Sequence, residues 1–202
     1  MVVTATNCTL YLNGVKAVKT IAHAAAPFTT VSRIGSDAMG GRLFKGQIDE
    51  VRVWNTSRTS AELMQNKYFI SNTTSPQLVG YWNFDAGNAN DLTGHGLNGT
   101  IFNMGVTFIP ETIPLPQNSA LCLAEKATAT LPTPFTVVPT AFTIEWWMNP
   151  ITTTDYNQRI ECNSGGNWGS FTFQTTSKGE VYVGTDMATR FICEFHASII
   201  EF

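Results

Sequence analysis

The residues most suggestive of chemistry are two adjacent acids, Asp49 and Glu50, in an otherwise apolar stretch. Enzymatic hydrolysis of a glycosidic bond needs two carboxyl groups that flank the bond. The four residues that follow Glu50 are Val, Arg, Val and Trp, so a second acid is missing from the same strand face. We therefore expect no catalytic residue here. Glu50 and Arg52 share one face of a strand, where we expect them to pair across strands.

Aromatic residues in polar surroundings form a second group of candidates. Trp168 follows Asn167 within a glycine-rich stretch, and Tyr156 lies among Thr, Asp and Asn residues. Such rings have little reason to enter a core, whereas a sugar ring packs well on an exposed aromatic face. The sequence therefore predicts loop positions and ligand contacts for Trp168, Tyr156 and Asn167. The remaining tryptophans alternate within apolar stretches and are assigned to the core: Trp54, Trp82, Trp146 and Trp147.

Several other functions lack the residues that they would need. The cysteines (Cys8, Cys122, Cys162, Cys193) and three histidines show no zinc-binding spacing, and two disulfides or free buried thiols both remain open. With 12 Lys and Arg against 15 Asp and Glu, the chain has no basic run to follow a phosphate backbone. No apolar stretch is long enough for a membrane-spanning helix. We expect neither nucleic acid nor a membrane span.

The elements that must position these residues are mostly β-strands. Alternation of apolar and polar residues predicts strands at 9–12, 50–54, 79–84, 142–148, 170–174 and 181–183, separated by glycine and asparagine turns. The exception is a helical turn within 57–66, which Thr59 or Ser60 can cap. The predicted class is all-β, an antiparallel sandwich.

Two blocks of the chain resemble halves of a known domain. The first contains Leu-Tyr-Leu-Asn-Gly at 10–14, Arg-Ile-Gly at 33–35, Phe-Lys-Gly-Gln-Ile-Asp-Glu-Val-Arg-Val-Trp-Asn at 44–55 and Thr-Ser-Ala-Glu-Leu at 59–63. It resembles the carboxy-terminal half of a laminin-G-like jelly-roll domain of the concanavalin A-like, pentraxin-related type. The second block, at 78–85, 91–99 and 142–150, resembles the opening half of the same domain.

The order of these halves is inverted relative to the family. Residues 1–70 resemble the closing half, 71–77 form a linker, and 78–190 resemble the opening half. A cut from a tandem array explains this order, whereas one circularly permuted jelly-roll sandwich over 1–202 would cover the apolar face of both halves. We favour the permuted sandwich, and strand exchange with a second copy is the alternative. Residues 191–202 do not match the family and are interpreted as an aberrant tail or a strand.

The resemblance also implies a calcium site, as in calcium-binding members of the family. Asp49 and Asp91, with Asn98 in the glycine-bent turn at 94–99, would supply oxygen ligands if the first and last strands are neighbours. The alternative is that Asp91 closes an Asx turn and Asp49 satisfies a loop backbone.

The resemblance and the missing catalytic acid lead to one main functional hypothesis. We expect a non-catalytic glycan-binding or adhesion module, a lectin-like part of an extracellular or cell-surface protein. A structural spacer repeat without a ligand is the alternative, and a glucanase-type enzyme is a third. The step from sandwich to lectin is an analogy, because one fold hosts many functions.

Overall fold

The protein is an all-β sandwich in a computed structural model that describes residues 1–22, 32–36, 43–68, 70, 72–102, 106–110, 119–123, 128–132, 141–150, 157–164, 167–175, 181–184 and 190–193. The elements are β1 Val2–Val3, β2 Asn7–Leu12, β3 Val15–Ala22, β4 Ser32–Ile34, β5 Gly46–Trp54, α1 Ser60–Gln65, β6 Leu78–Trp82, β7 Thr100–Phe102, β8 Val106–Pro110, β9 Ser119–Leu123, β10 Thr128–Leu131, β11 Phe142–Pro150, β12 Asn157–Ser164, β13 Asn167–Thr175, β14 Val181–Gly184 and β15 Arg190–Cys193.

The strands form two antiparallel sheets. The first sheet has the order β3-β2-β1-β11-β5-β9-β8, with β6 beside β5, and the second has the order β15-β14-β13-β12-β4-β10-β7. Val51 to Trp54 of β5 pair with β6, so the first and last strands of the family order are neighbours, as the predicted calcium site required. Strands β2 and β11 also lie in one sheet, on either side of β1. The predicted antiparallel sandwich class is therefore confirmed, while the boundaries proposed for the two halves remain an interpretation of the sequence.

One apolar core joins the sheets. Strands of the first sheet contribute Ile48, Val51, Leu121 and Ile144 to this core. Ile34 contributes to it from the second sheet. These side chains are at most 1% exposed. Each strand has one face on the core because alternate side chains point to opposite sides of a sheet. The outer face of the first sheet is thereby left for the polar residues between them.

Helix α1 and its flanking residues pack on this outer face. Thr59 caps the helix: its Oγ1 accepts from the Glu62 amide at 3.3 Å, and a Glu62 carboxylate oxygen accepts from the Thr59 amide at 2.7 Å. This reciprocal pair is a capping box, which satisfies two amides that the helix itself leaves without partners. Leu63 then turns inward and is buried.

The core assignments for tryptophan are confirmed for two of the four residues. Trp54 and Trp82 are buried, whereas Trp146 and Trp147 are half-buried. The start of the unmatched tail is a strand, because β15 pairs with β14. Cys122 is a free thiol and Cys8 is buried in the core.

Candidate functional site

Strand β5 carries a bulge at the acid pair. Arg52 pairs with Glu145 of β11 and Asp49 pairs with Trp147, so β5 has one residue more than β11 between these pairs. Glu50 lies in the bulge with a φ of 53°, a left-handed conformation that few residues other than glycine adopt. Because of the extra residue, Ile48 and Val51, which are three positions apart, both join the core, while Glu50 and Arg52 contact each other on the outer face.

Glu50 and Arg52 form a buried ion pair on this face. Each residue is at most 3% exposed, and an Arg52 Nη atom donates directly to the Glu50 carboxylate. The Tyr81 hydroxyl donates to the same carboxylate at 2.8 Å. Arg52 also donates to the carbonyl oxygen of Asn66. The sequence predicted pairing across strands, but Glu50 and Arg52 pair with each other within β5, and the cross-strand contact of Arg52 is with Glu145.

A second acid, Glu145, lies across from Arg52. Its carboxylate is 3.6 Å from Arg52 Nη1 and 3.4 Å from Arg58 Nε. The Arg58 guanidinium lies 3.9 Å from the ring centroid of Trp54, where it gains a cation–π contact. We call Glu50, Arg52, Arg58, Glu145 and Tyr81 the charged cluster. Sequence reasoning missed Glu145 because the two acids are neighbours only across strands.

Burial sets the protonation tendencies in the charged cluster. Desolvation raises the pKa of Glu50 above its ordinary value, and Arg52 opposes this change. Desolvation likewise raises the pKa of Glu145, with Arg52 and Arg58 acting in the opposite direction. The pKa of the Tyr81 hydroxyl is raised by burial and by the nearby Glu50 carboxylate. Burial therefore favours the protonated form of Glu50 and Glu145, whereas the neighbouring arginines favour the charged carboxylate.

The predicted calcium ligands are distributed between a strand and a turn. Asp49 is buried, and its Oδ1 accepts from the Glu50 amide at 2.7 Å. The Asp91 carboxylate accepts from the amides of Tyr81, Thr93 and Leu97 and from the Thr93 hydroxyl. The side-chain oxygen of Asn98 accepts from the Asp91 amide at 3.0 Å. The turn therefore brings Asp91 and Asn98 together.

This hydrogen-bond pattern fits the alternative role that the sequence suggested for Asp91. A carboxylate has about four lone-pair directions, and the surrounding donors already occupy them. Within the part of the chain that the structure describes, three or more His, Cys, Asp or Glu side chains nowhere converge as a metal site. Asp91 thus acts as a turn-capping residue, and calcium stays a prediction.

Two of the three predicted glycan contacts, Asn167 and Trp168, lie on the second sheet. Asn167 and Trp168 begin strand β13, and Asn167 pairs with Ser164 of β12. The prediction of a loop was therefore wrong for these two positions, because β13 already begins at Asn167 and pairs with β12. Tyr156 and the side chains of Asn167 and Trp168 lie outside the described residues, so their role as ligand contacts stays a prediction.

An aromatic cluster that the sequence analysis did not identify lies after helix α1. The rings of Tyr68 and Trp147 are stacked, with centroids 5.6 Å apart and planes 7° from parallel. The Trp147 indole donates to the carbonyl oxygen of Lys67 at 2.7 Å, and the Lys67 ammonium is 4.9 Å from the Tyr68 centroid. Tyr68 nevertheless remains 41% exposed. We call Lys67, Tyr68 and Trp147 the aromatic platform.

A cleft of about 130 Å³ lies beside the platform, between strands β2 and β11. One wall is formed by residues 10–14 and the other by residues 144–148. Glu50, Arg52 and side chains of α1 also border it. The cleft therefore has residues of two chain segments on opposite sides and both apolar and charged residues around it.

Comparison with known proteins identifies the first third of the chain. Residues 1–64 match the family model Laminin_G_3, described as the concanavalin A-like lectin/glucanases superfamily. Neither the curated proteins nor the solved structures gave a match. Among the described residues, every helix is too short or too polar to cross a membrane. The matched segment contains strands β1 to β5 and most of α1, and residues 1–64 are therefore similar to the concanavalin A-like lectin/glucanase superfamily.

Proposed function

We propose that this protein is a non-catalytic glycan-binding or adhesion module of an exported or cell-surface protein. The superfamily match suggests a carbohydrate-binding or adhesion-type module. The observation that carries the proposal is the aromatic platform, because it presents an exposed ring in a fixed orientation.

Stacking on Trp147 makes Tyr68 a suitable surface for a sugar. A free tyrosine side chain loses rotamer freedom when a ligand binds, which reduces affinity. Tyr68 is already held parallel to Trp147, and the indole is itself held by its hydrogen bond to Lys67. The exposed part of the ring can take the C–H face of a sugar, while the Lys67 ammonium can donate to a hydroxyl or a carboxylate.

The charged cluster supports binding without catalysis. A retaining or inverting glycosidase needs one carboxyl group free to protonate the leaving oxygen and another free to act as nucleophile or base. Glu50 and Glu145 are each paired with an arginine; Glu50 is buried, and the Glu145 side chain is only 11% exposed. Hydrolysis of a β-glucan by the purified protein would contradict this part of the proposal.

A glycan array tests the proposed function directly. Plant, algal and animal glycans should include binders, and binding should fall at least tenfold in Tyr68→Ala. Phe102→Ala is the matched control, since Phe102 is also an exposed aromatic residue but lies on β7 of the other sheet. Trp168→Ala tests the second predicted contact. Absence of binding across the array would favour the spacer repeat.

Calcium is a separate part of the proposal. A site between the Asp49 region and the turn at 91–98 would raise the free energy of unfolding by about 2.7 kcal/mol at 100 times the dissociation constant. Thermal melting in excess calcium and in chelator measures this directly. An unchanged midpoint would leave Asp91 with its turn-capping role alone.

A further inference from the structure

The chain contains four Asn-x-Ser/Thr sequences, the pattern at which N-linked glycans are attached. They begin at Asn7, Asn55, Asn72 and Asn98. Asparagine and threonine are common in this chain, so the pattern alone does not distinguish one of these positions from another. The structure does distinguish them, because an acceptor asparagine must be exposed and the fold must tolerate a bulky, solvated glycan on its Nδ2 atom.

Asn72 lies on an exposed turn that leads into strand β6. The side chains of Asn72 and Thr74 are both exposed. The turn ends at Leu78, the buried first residue of β6, and the Asn55 amide donates to the carbonyl oxygen of Gln77 at 2.7 Å. A glycan on Asn72 would therefore stand on a turn whose far end is fixed to the sheet, and it would displace nothing from the core.

The Asn72 side chain is bonded to the third residue of its own sequence. Its Oδ1 atom accepts from the Thr74 amide at 3.1 Å and from the Thr74 hydroxyl at 3.0 Å. Among the residues that the structure describes, the Asn72 side chain makes its hydrogen bonds through Oδ1, which leaves Nδ2 for a covalent bond. Donors at Oδ1 also withdraw electron density from the amide group, so the Nδ2 proton is lost more easily. Because this turn spans two residues, it can form before the rest of the chain folds.

Two of the other sequences are shaped by contacts with distant strands. The sequence at 7–9 lies within β2, and its middle residue, Cys8, is 1% exposed in the core. The sequence at 55–57 is half-buried, and the Ser57 hydroxyl donates to the carbonyl oxygen of Val3. The local structure at both positions is therefore set by packing, in contrast to the self-contained turn at Asn72.

The fourth sequence begins with an exposed asparagine that has a structural role. The Asn98 Oδ1 atom accepts from the Asp91 amide at 3.0 Å. Thr100, the third residue of this sequence, begins β7 and pairs with Thr130. The side-chain oxygen of Asn98 is thus bonded to a distant amide, so the structure favours Asn72 over this position as well.

We propose that Asn72 is a site of N-linked glycosylation and that Asn55 is not. The inference rests on the proposed function in one respect, export of the protein, since the glycan donor, a lipid-linked pyrophosphate oligosaccharide, is met on the export route. In the transfer, Nδ2 loses a proton and bonds to C1 of the first sugar. The bond between C1 and the pyrophosphate oxygen breaks, and the lipid pyrophosphate leaves with the electron pair. A cellular transferase catalyses this step, to which the protein contributes the exposed acceptor.

Secretion from cultured animal cells, with a cleavable export leader fused to the chain, tests the proposal. Treatment with a peptide-N-glycosidase in heavy-oxygen water converts each glycosylated asparagine to a labelled aspartate, which mass spectrometry of the peptides locates. The Asn72 peptide should carry the label and the Asn55 peptide should lack it. An unlabelled Asn72 in the secreted protein, or equal labelling of Asn55 and Asn72, would overturn the proposal.

Substitutions in the turn provide matched controls. Asn72→Gln and Thr74→Ala should each lose the glycan, whereas Thr74→Ser should keep it because serine retains the hydroxyl. Thr73→Ala changes the middle position and should also keep it. A glycan that persists at Asn72 in Thr74→Ala, or is lost in Thr73→Ala, would contradict the assignment.

The result is separable from the test of glycan binding. The leader supplies export in every variant, so an unmodified Asn72 counts against this proposal alone. Unglycosylated protein made in bacteria serves for the glycan array, where Asn72→Gln should bind as the unchanged protein does.

Discussion

Replacing Arg52 by methionine removes the central cation of the charged cluster. The Arg52 side chain is 1% exposed and is shared between Glu50, Glu145 and the carbonyl oxygen of Asn66. Methionine retains much of the aliphatic volume but leaves the Glu50 carboxylate buried without its cation. Removing one partner of a buried ion pair costs about 3–5 kcal/mol. We expect Arg52→Met to lose a free energy of unfolding in that range at pH 7.

The loss should depend on pH in a defined direction. Burial already raises the pKa of Glu50 above 4.5, and removal of the Arg52 guanidinium raises it further. A carboxyl group with a raised pKa in the folded state contributes stability that is present below its unfolded pKa and is lost as the pH rises through the folded pKa. The deficit of Arg52→Met should therefore be small below about pH 4.5 and should grow with pH above that value.

Urea denaturation at several pH values measures both effects. The double variant Arg52→Met with Glu50→Gln removes the unpaired charge, and it should recover much of the stability lost in the single variant. Arg33→Met on β4 is a control for loss of an arginine from the other sheet. A loss below about 1 kcal/mol at pH 7, or a double variant as unstable as the sum of the single variants, would refute the reasoning.

Three further substitutions test other parts of the structure. Thr59→Ala should lower the free energy of unfolding by about 0.5–2 kcal/mol through loss of the capping box, whereas Ser60→Ala should change it little; chemical denaturation measures both. Gly80→Ala should destabilise the protein severely, since a Cβ would come within 2.3 Å of the fully buried Trp82 ring; equal melting temperatures would contradict this contact. Asp91→Ala should cost about 1–3 kcal/mol even in chelator, because buried amides of its turn lose their acceptor; a cost seen only with calcium present would instead indicate a metal site.

Local patterns predicted much of the fold correctly. Alternation located β5, β6 and β11, and a cap at Thr59 or Ser60 located the start of the helix, because these signals depend on near neighbours in the chain. The neighbouring position of β5 and β6 was assumed for the predicted calcium site, and only from the resemblance to the family. Asn167 and Trp168 were assigned to a loop because their composition is polar and glycine-rich. Their backbone is nevertheless a strand, since β12 lies beside it and supplies the ladder.

The site was less predictable for a physical reason. Glu145 joins Glu50 and Arg52 only through the pairing of β11 with β5 and the bulge in β5, and neither feature has a signal within a single strand. The same holds for Tyr68, which meets Trp147 only after the chain folds back over the outer face. The sequence identified Asp91 as either a functional or a turn-capping residue. The amide groups that donate hydrogen bonds to its carboxylate became evident only in the structure.

The central claim is that strands β1, β2 and β5, which lie in the segment that matches the superfamily, share one sheet and one core with strand β11. Nuclear Overhauser effects between backbone protons measure this directly, because paired residues in an antiparallel ladder have Cα atoms about 4.5–5.5 Å apart. The structure predicts cross-strand peaks for Val2 with Thr143 and for Arg52 with Glu145 in the monomeric protein. Peaks confined to pairs before residue 70 and pairs after residue 77, with none between these groups, would contradict it.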